Sequence, residues 1–298
     1  MNSVEELNKR FGVSGVAQIT AGNGNLPRID VKTPAAGGEI YVHGAHVVSW
    51  RPAGAEEVIF LSDRSQWQDG KAIRGGIPVC FPWFRNKAGD PKAPSHGFAR
   101  IMAWQLDSID LKGDAVEVSL SIVSDDATRA WWPHDFRLVH RISIGSELRQ
   151  ELVLTNTGSS ALRFEEALHT YYRVGSADKV RISGLDAVTY LDNTDDNRKK
   201  EQQGDIVFTE QTDRAYVNTV HSVEIDDPIL RRRLQLTKGN SRTTVVWNPW
   251  STGANTLSDL GEDGWRTMAC VEASNIRDFA VDLAPGQQHS MKTAIRIV

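Results

Sequence analysis

Cysteine is scarce in this chain: 298 residues contain two, Cys80 and Cys270, with no CxxC spacing. That excludes a disulfide framework and a thiolate zinc cage, and makes a reduced, cytoplasmic setting the expectation. Long apolar runs are also missing. No uncharged stretch reaches about 18 apolar residues, and the opening MNSVEELNKRFG lacks an apolar signal-peptide core, so a soluble, non-secreted protein with no membrane partner is expected. Positive charge is not in excess. The net charge of −4 and isoelectric point near 6.1 remove the electrostatic footprint of a general nucleic-acid binder, so any anionic ligand has to be met by local arginines. Neither GxxxxGK[ST] nor GxGxxG occurs, which leaves nucleotide cofactors without support. There is no Pro/Ser-rich linker, no fixed-period repeat and no alternation of strands with long helices. One domain over residues 1–298 is expected, and a doubly wound parallel sheet is not.

What is present is tryptophan, nine against five tyrosines, together with 24 glycines. Indole-rich, glycine-rich chains favour sheets with aromatic-lined clefts, in which the indoles serve either the core or a sugar platform. Period-two alternation dominates. Val116, Val118, Leu120 and Ile122 interleave with Glu117, Ser119 and Ser121, and Phe136, Leu138, Ile142 and Ile144 repeat the pattern. Leu152 with Leu154, then Leu162, Phe164 and Leu168, then Val245 with Trp247, and Phe279, Val281 and Leu283 continue it between turn clusters such as Asn156-Thr157-Gly158. The fold class is therefore all-β. Helix is expected at the start, where Ser3 and Glu6 have capping-box spacing and Gly12 is read as a left-handed exit, and again near Asp125 to Trp131. Two irregular stretches stand out: the Gly/Pro- and aromatic-rich run Arg74 to Arg100, and the polar run Leu191 to Asp205, read as a solvated loop.

Eight histidines invite a search for metal sites. His43 and His46 are three apart but no third ligand is evident, and His134 and His140 read as core or edge residues, so no metal is expected. In LRFEEALHTYYRVG, one continuous strand would place Arg163, Glu165, His169 and Tyr171 on a face that is neither apolar core nor simple charged surface. His169 there is either a proton carrier lining a cleft or a hydrogen-bonded structural residue. In TMACVEASN, alternation puts Met268, Cys270 and Glu272 on one side. Glu272 ends an apolar strand and is either functional or salt-bridged, because isolated burial of its charge is costly. Arg74 and Arg100 bracket the aromatic loop beside glycines that let a ligand approach the backbone, and guanidinium forks suit phosphate or carboxylate.

Taken in order, IRGGIPVCFPWF, HGFAR, WPHDF, LHTYY, a loop Asp before a turn, WNPW and CVE resemble the hexose-6-phosphate mutarotases (glucose-6-phosphate 1-epimerases) of the aldose-1-epimerase-like superfamily, from about Val42 to the C-terminus. The resemblance implies a large antiparallel β-sandwich, the galactose-mutarotase-like supersandwich, with an open cleft. Carried over by motif, it implies His169 as general acid and Glu272 as general base. It also implies Arg74 and Arg100 at substrate and phosphate, Asp192 as the sugar-binding aspartate, and His96 near the ring oxygen, with Ser95 beside it. Asn193 stands where relatives commonly have Lys, and Ser95 where some have Gln.

The implied reaction exchanges the α and β anomers of a hexose 6-phosphate. Ionised Glu272 takes the C1 hydroxyl proton, protonated His169 gives one to the ring oxygen, C1–C2 rotates and the ring closes on the other face. Neither a metal nor a redox cofactor is required. Arg85 or Lys87 can add to the phosphate contacts, and Trp83 with Trp247 or Trp250 is expected against the sugar, in a protein for which a monomer is favoured. Three alternatives stay open: a mutarotase for free aldoses, a non-catalytic sugar-phosphate-binding protein, and a glycoside hydrolase, which would need a second carboxylate.

Overall fold

The computed structural model describes residues 3–298. Among them are three short α-helices, and none is long and apolar enough to cross a membrane. The first, Val4–Phe11, begins with the expected reciprocal cap: Ser3 Oγ accepts from Glu6 N at 3.1 Å, and Ser3 N donates to Glu6 Oε2 at 2.8 Å. Its exit differs from expectation. Gly12 has φ −60°, and glycine is needed there because a Cβ would lie 2.5 Å from Asn8 O. A second helix, Asp126–Trp131, is capped by Asp125 and Thr128 where the sequence placed it.

The rest is antiparallel sheet. One eight-stranded sheet runs Arg181–Ser183, Val223–Asp227, Arg232–Gly239, Gln288–Ile297, Leu148–Asn156, Phe136–Ile144, Ala115–Val123, Gln105–Lys112. A second runs Arg198–Glu201, Thr189–Asp192, Thr212–Val217, Thr243–Asn248, Met268–Asn275, Glu166–Leu168, Val79–Cys80, with Tyr171–Arg173 also paired to Met268–Asn275. Smaller sheets of four strands (Ala17–Ala21 to His46–Pro52) and two strands (Leu162–Phe164 with Val281–Leu283) complete the set. The alternating residues read from the first sheet face inward, but Val245 and Trp247 of the second face its other side, and it is Val246 between them that enters the core. Val116, Val118, Leu120, Leu138, Ile142, Leu152 and Leu154 of the first sheet share one buried cluster with Leu168, Val246, Ala269, Val271 and Ala273 of the second. The opposite face of the second sheet is left to form a cleft.

Three local expectations are corrected. Residues 191–205 are not a loop: strands Thr189–Asp192 and Arg198–Glu201 pair there as a hairpin, closed by Asp196 and Asn197 with φ of 49° and 58°. The run 162–173 is not one strand. Glu165 diverts it, its N–H going to Pro82 O and its carboxylate accepting from Phe84 N and Arg277 N, so that Leu162–Phe164 pairs with Val281–Leu283 while Glu166–Leu168 enters the cleft sheet. Phe279 lies in a 3₁₀ turn before the strand it was assigned to.

Candidate active site

Strand Met268–Asn275 is buried along its whole length, and its two faces have different uses. Ala269, Val271 and Ala273 enter the core, while Cys270 and Glu272 point to the cleft. Register places Val245 beside Glu272, and Trp247 and Tyr171 on either side of Cys270. His169 is set by its N–H to Pro78 O at 3.0 Å, just after Glu166–Leu168 has paired with the same strand. Its ring stacks on Tyr171 (centroids 4.8 Å apart, 14° between planes) and meets Trp247 edge-on at 5.9 Å. His169 Nε2 thereby lies 3.3 Å from Glu272 Oε1, while His169 Nδ1 and Glu272 Oε2 have no protein partner.

This pair lies in a cleft of about 580 Å³ walled by three arginines and by the polar groups Asn86, Ser95, His96 and Asp213. Arg74 Nη1 donates to Tyr171 Oη at 3.0 Å, and its Nε is 3.1 Å from Asp259. Arg100 is half-buried; its Nη2 donates to Ser95 O at 2.8 Å and its Nε has no partner. Arg85 pairs with Asp213, whose other oxygen accepts from Asn193 Nδ2 at 3.0 Å. The loop that delivers these groups is tightly folded. Arg85 and His96 both have left-handed backbone (φ 60° and 62°) and are joined by His96 N–H to Arg85 O at 2.7 Å. Gly97 follows at φ 76°, where a Cβ would lie 1.9 Å from Phe81 O.

Burial, then Arg100 and Arg74, hold the His169 imidazole well below its ordinary proton affinity. Burial, then the Asp213 charge, push the Glu272 carboxyl well above its own. Burial thus works against the charged form of each member of the pair. His169, Cys270 and Glu272 offer ligand atoms within 4.8 Å of one another, yet the Cys270 thiol and the Glu272 carboxyl are both pushed toward their protonated forms and cationic arginines stand opposite. Such a donor set does not fit a metal ion.

The sequence profile described as Aldose 1-epimerase matches residues 28–296. The chain belongs to the aldose 1-epimerase family. A relative from Salmonella typhimurium, named "Putative glucose-6-phosphate 1-epimerase", is 34% identical over 272 residues, 89% of this chain and 90% of the relative. One of the same name from Escherichia coli K12 is 35% identical over 250 residues, 84% and 83% of the two chains. The fold agrees. A crystal structure titled as a putative mutarotase (YeaD) from Salmonella typhimurium superposes with a TM-score of 0.90 at 30% identity, covering 97% of this chain and 95% of that one.

In this aldose 1-epimerase family member, His169, Glu272, Arg74, Arg100, His96 and Ser95 all line one cleft, as their motifs implied, and Arg85 joins them. Asp192 does not. It accepts from Thr194 Oγ1 at 2.7 Å and Lys200 Nζ at 2.8 Å inside its hairpin, and the aspartate in the cleft is Asp213. Sequence reasoning missed Asp213 because its face is defined only by the pairing of Thr212–Val217 with Thr243–Asn248, which sets it opposite Trp247. Trp83 is also misplaced: its Nε1 donates to Pro94 O and its ring packs edge-on against Phe98 in the core, whereas its neighbour Phe84 faces the cleft against His96. Lys87 turns away to Trp131 O and Asp90. Of the indoles assigned to the sugar, Trp247 lines the cleft and Trp250 packs on Trp265 outside it. His43 and His46 accordingly serve structure, binding Lys71 O and Gly75 O and so anchoring the approach to Arg74; burial lowers His46 to about 3.

Proposed function

We propose that the protein interconverts the α and β anomers of a hexose 6-phosphate, as a cofactor-independent 1-epimerase. The observation that carries this is the His169–Glu272 pair. The two oxygens that exchange protons in ring opening are bonded to the same carbon, so their acid and base must lie side by side, and 3.3 Å between Nε2 and Oε1 meets that requirement. Glu272 accepts the C1 hydroxyl proton as the C1–ring-oxygen bond breaks and His169 delivers a proton to the ring oxygen; rotation about C1–C2 and closure return both. An open cleft of about 580 Å³ leaves room for that rotation.

Arg74, Arg100 and Arg85 supply donors for the 6-phosphate, and the names of the Salmonella and Escherichia coli relatives support a phosphorylated sugar over a free one. Asp213, Ser95 and His96 are placed to meet hydroxyl groups, with Trp247 as the apolar platform. The reading takes the chain as one domain, supported by the core shared between the sheets, and as a cytoplasmic enzyme, supported by free thiols at Cys80 and Cys270. Glu272→Gln is expected to keep the fold and the binding of glucose 6-phosphate while lowering anomer exchange by about 10²–10⁴-fold. Magnetisation transfer between the α and β signals measures it, and exchange near the wild-type rate would overturn the assignment.

A further inference from the structure

Six residues outside the His169–Glu272 pair close a circuit at one end of the cleft. Glu165 lies where strands Leu162–Phe164 and Glu166–Leu168 part, and its carboxylate oxygens accept from Phe84 N–H at 2.8 Å and Arg277 N–H at 2.5 Å. The Arg277 side chain then reaches the hairpin turn, where its Nη2 donates to Asn193 Oδ1 at 2.6 Å and to Asn197 Oδ1 at 2.5 Å. Asn193 Nδ2 donates to Asp213 Oδ1 at 3.0 Å, Arg85 donates to Asp213 Oδ2, and Arg85 follows Phe84 in the chain, which completes the circuit. Phe84, Arg85 and Asp213 line the cleft; Glu165, Asn193 and Arg277 stand behind them.

Only one orientation of the Asn193 amide serves both of its neighbours. Its oxygen has to face the guanidinium and its NH₂ the carboxylate, so the amide carries a fixed polarity from Arg277 to Asp213. The backbone agrees, with Asn193 N–H donating to Asp213 O at 2.9 Å. Asp213 is thereby gripped through both oxygens, beside its strand partner Trp247 on the cleft face. A carboxylate has about four acceptor positions, and those left free here point in set directions. We propose that Arg277 and Asn193 are positioning residues that set hexose selectivity, by locking the direction in which Asp213 accepts a sugar hydroxyl. This deepens the hexose 6-phosphate reading and rests on it. Hexose 6-phosphates that are epimers at C2 or C4 share the phosphate and the anomeric centre and differ in where one hydroxyl points. A carboxylate free to swing would follow either hydroxyl; a locked one favours one of them.

The test compares kcat/KM for anomer exchange of glucose, mannose and galactose 6-phosphates, read by magnetisation transfer in the full-length enzyme. Wild type is expected to prefer one of the three. In Arg277→Met the margin of preference is expected to shrink about fivefold or more, the factor that one hydrogen bond typically brings. Asn193→Asp should do the same, because it still accepts from Arg277 but has no proton to offer Asp213, and it decides the matter should Arg277→Met fail to fold. A role confined to folding would lower all three sugars alike. In an Asp213→Ala background, Arg277→Met should leave the margin as it is, since the group it acts through is gone. A wild-type enzyme indifferent among the three sugars, a margin unchanged in Asn193→Asp, or an equal loss of margin from Arg277→Met with and without Asp213 would each overturn the proposal. Failure of wild type to exchange any of the three would instead overturn the functional reading beneath it.

Discussion

Two histidine–glutamate pairs occupy this fold, and their first contacts look alike. In the cleft, His169 Nε2 is 3.3 Å from Glu272 Oε1; between the two large sheets, His289 Nε2 is 2.7 Å from Glu166 Oε1. Both glutamates are 1% exposed, and each has an Oε2 with no protein partner. The surroundings differ. Glu166 receives a second donor, Asn275 Nδ2 at 2.8 Å, and that amide also binds Asn240 O, so the second pair ties strand Gln288–Ile297 of one sheet to Glu166–Leu168 of the other. Glu272 receives no such support; an aspartate and three arginines share its cleft. The same two residue types thus make a clamp where an amide shares the carboxylate, and, in the proposed mechanism, a proton-exchanging pair where charged side chains surround it.

The largest expected effect separates the two glutamates. Where Glu272→Gln should abolish most exchange, Glu166→Gln is expected to leave exchange near wild type and to lower stability by about 1–3 kcal/mol, the worth of a charge-assisted hydrogen bond, read from urea unfolding. Stability should move the other way for Glu272→Gln. A carboxyl raised on folding holds a proton that the unfolded chain has released, so its contribution to stability falls as pH rises above the ordinary carboxylate range, and glutamine removes that loss. Reduced stability at neutral pH in Glu272→Gln would break the contrast. A smaller effect is expected of Asp213→Asn. Removing the neighbouring negative charge makes Glu272 easier to ionise, and the acid limb of the kcat/KM profile should move to lower pH; an unmoved limb would show that Asp213 does not tune the base. Tyr171→Phe keeps the ring under His169 and removes one hydrogen bond from Arg74. About 1 kcal/mol, roughly a fivefold fall in kcat/KM, is expected for glucose 6-phosphate and little change for glucose.

Legibility in the sequence followed how many neighbours a residue needs before its role is defined. Val116–Ile122 and Phe136–Ile144 announced themselves because one buried face is enough to write alternation into the chain. Arg198–Glu201, a strand of RKKE at the sheet edge, carries no such signal: charge protects an edge without a core-facing pattern. The side-chain directions of His169 and Glu272 were readable, but their meeting depends on which strands pair, and that came from the motif resemblance. Asp213 and Phe84 were lost by the same rule, since one step along the chain reverses the face and only the completed sheet says which face is the cleft.

Strand Met268–Asn275 serves the core through Val271, the cleft through Glu272 and the clamp through Asn275 within five positions. A chain so committed cannot be re-tuned for a new sugar without disturbing three structures at once. The arginines, by contrast, ride on the irregular segment between Ile73 and Ile101, whose spacing is set by turns rather than by sheet register. Substrate preference in such a molecule can drift with the loop while the proton chemistry stays fixed in the frame, and a designer seeking a different anion should alter the loop first and leave the strand intact.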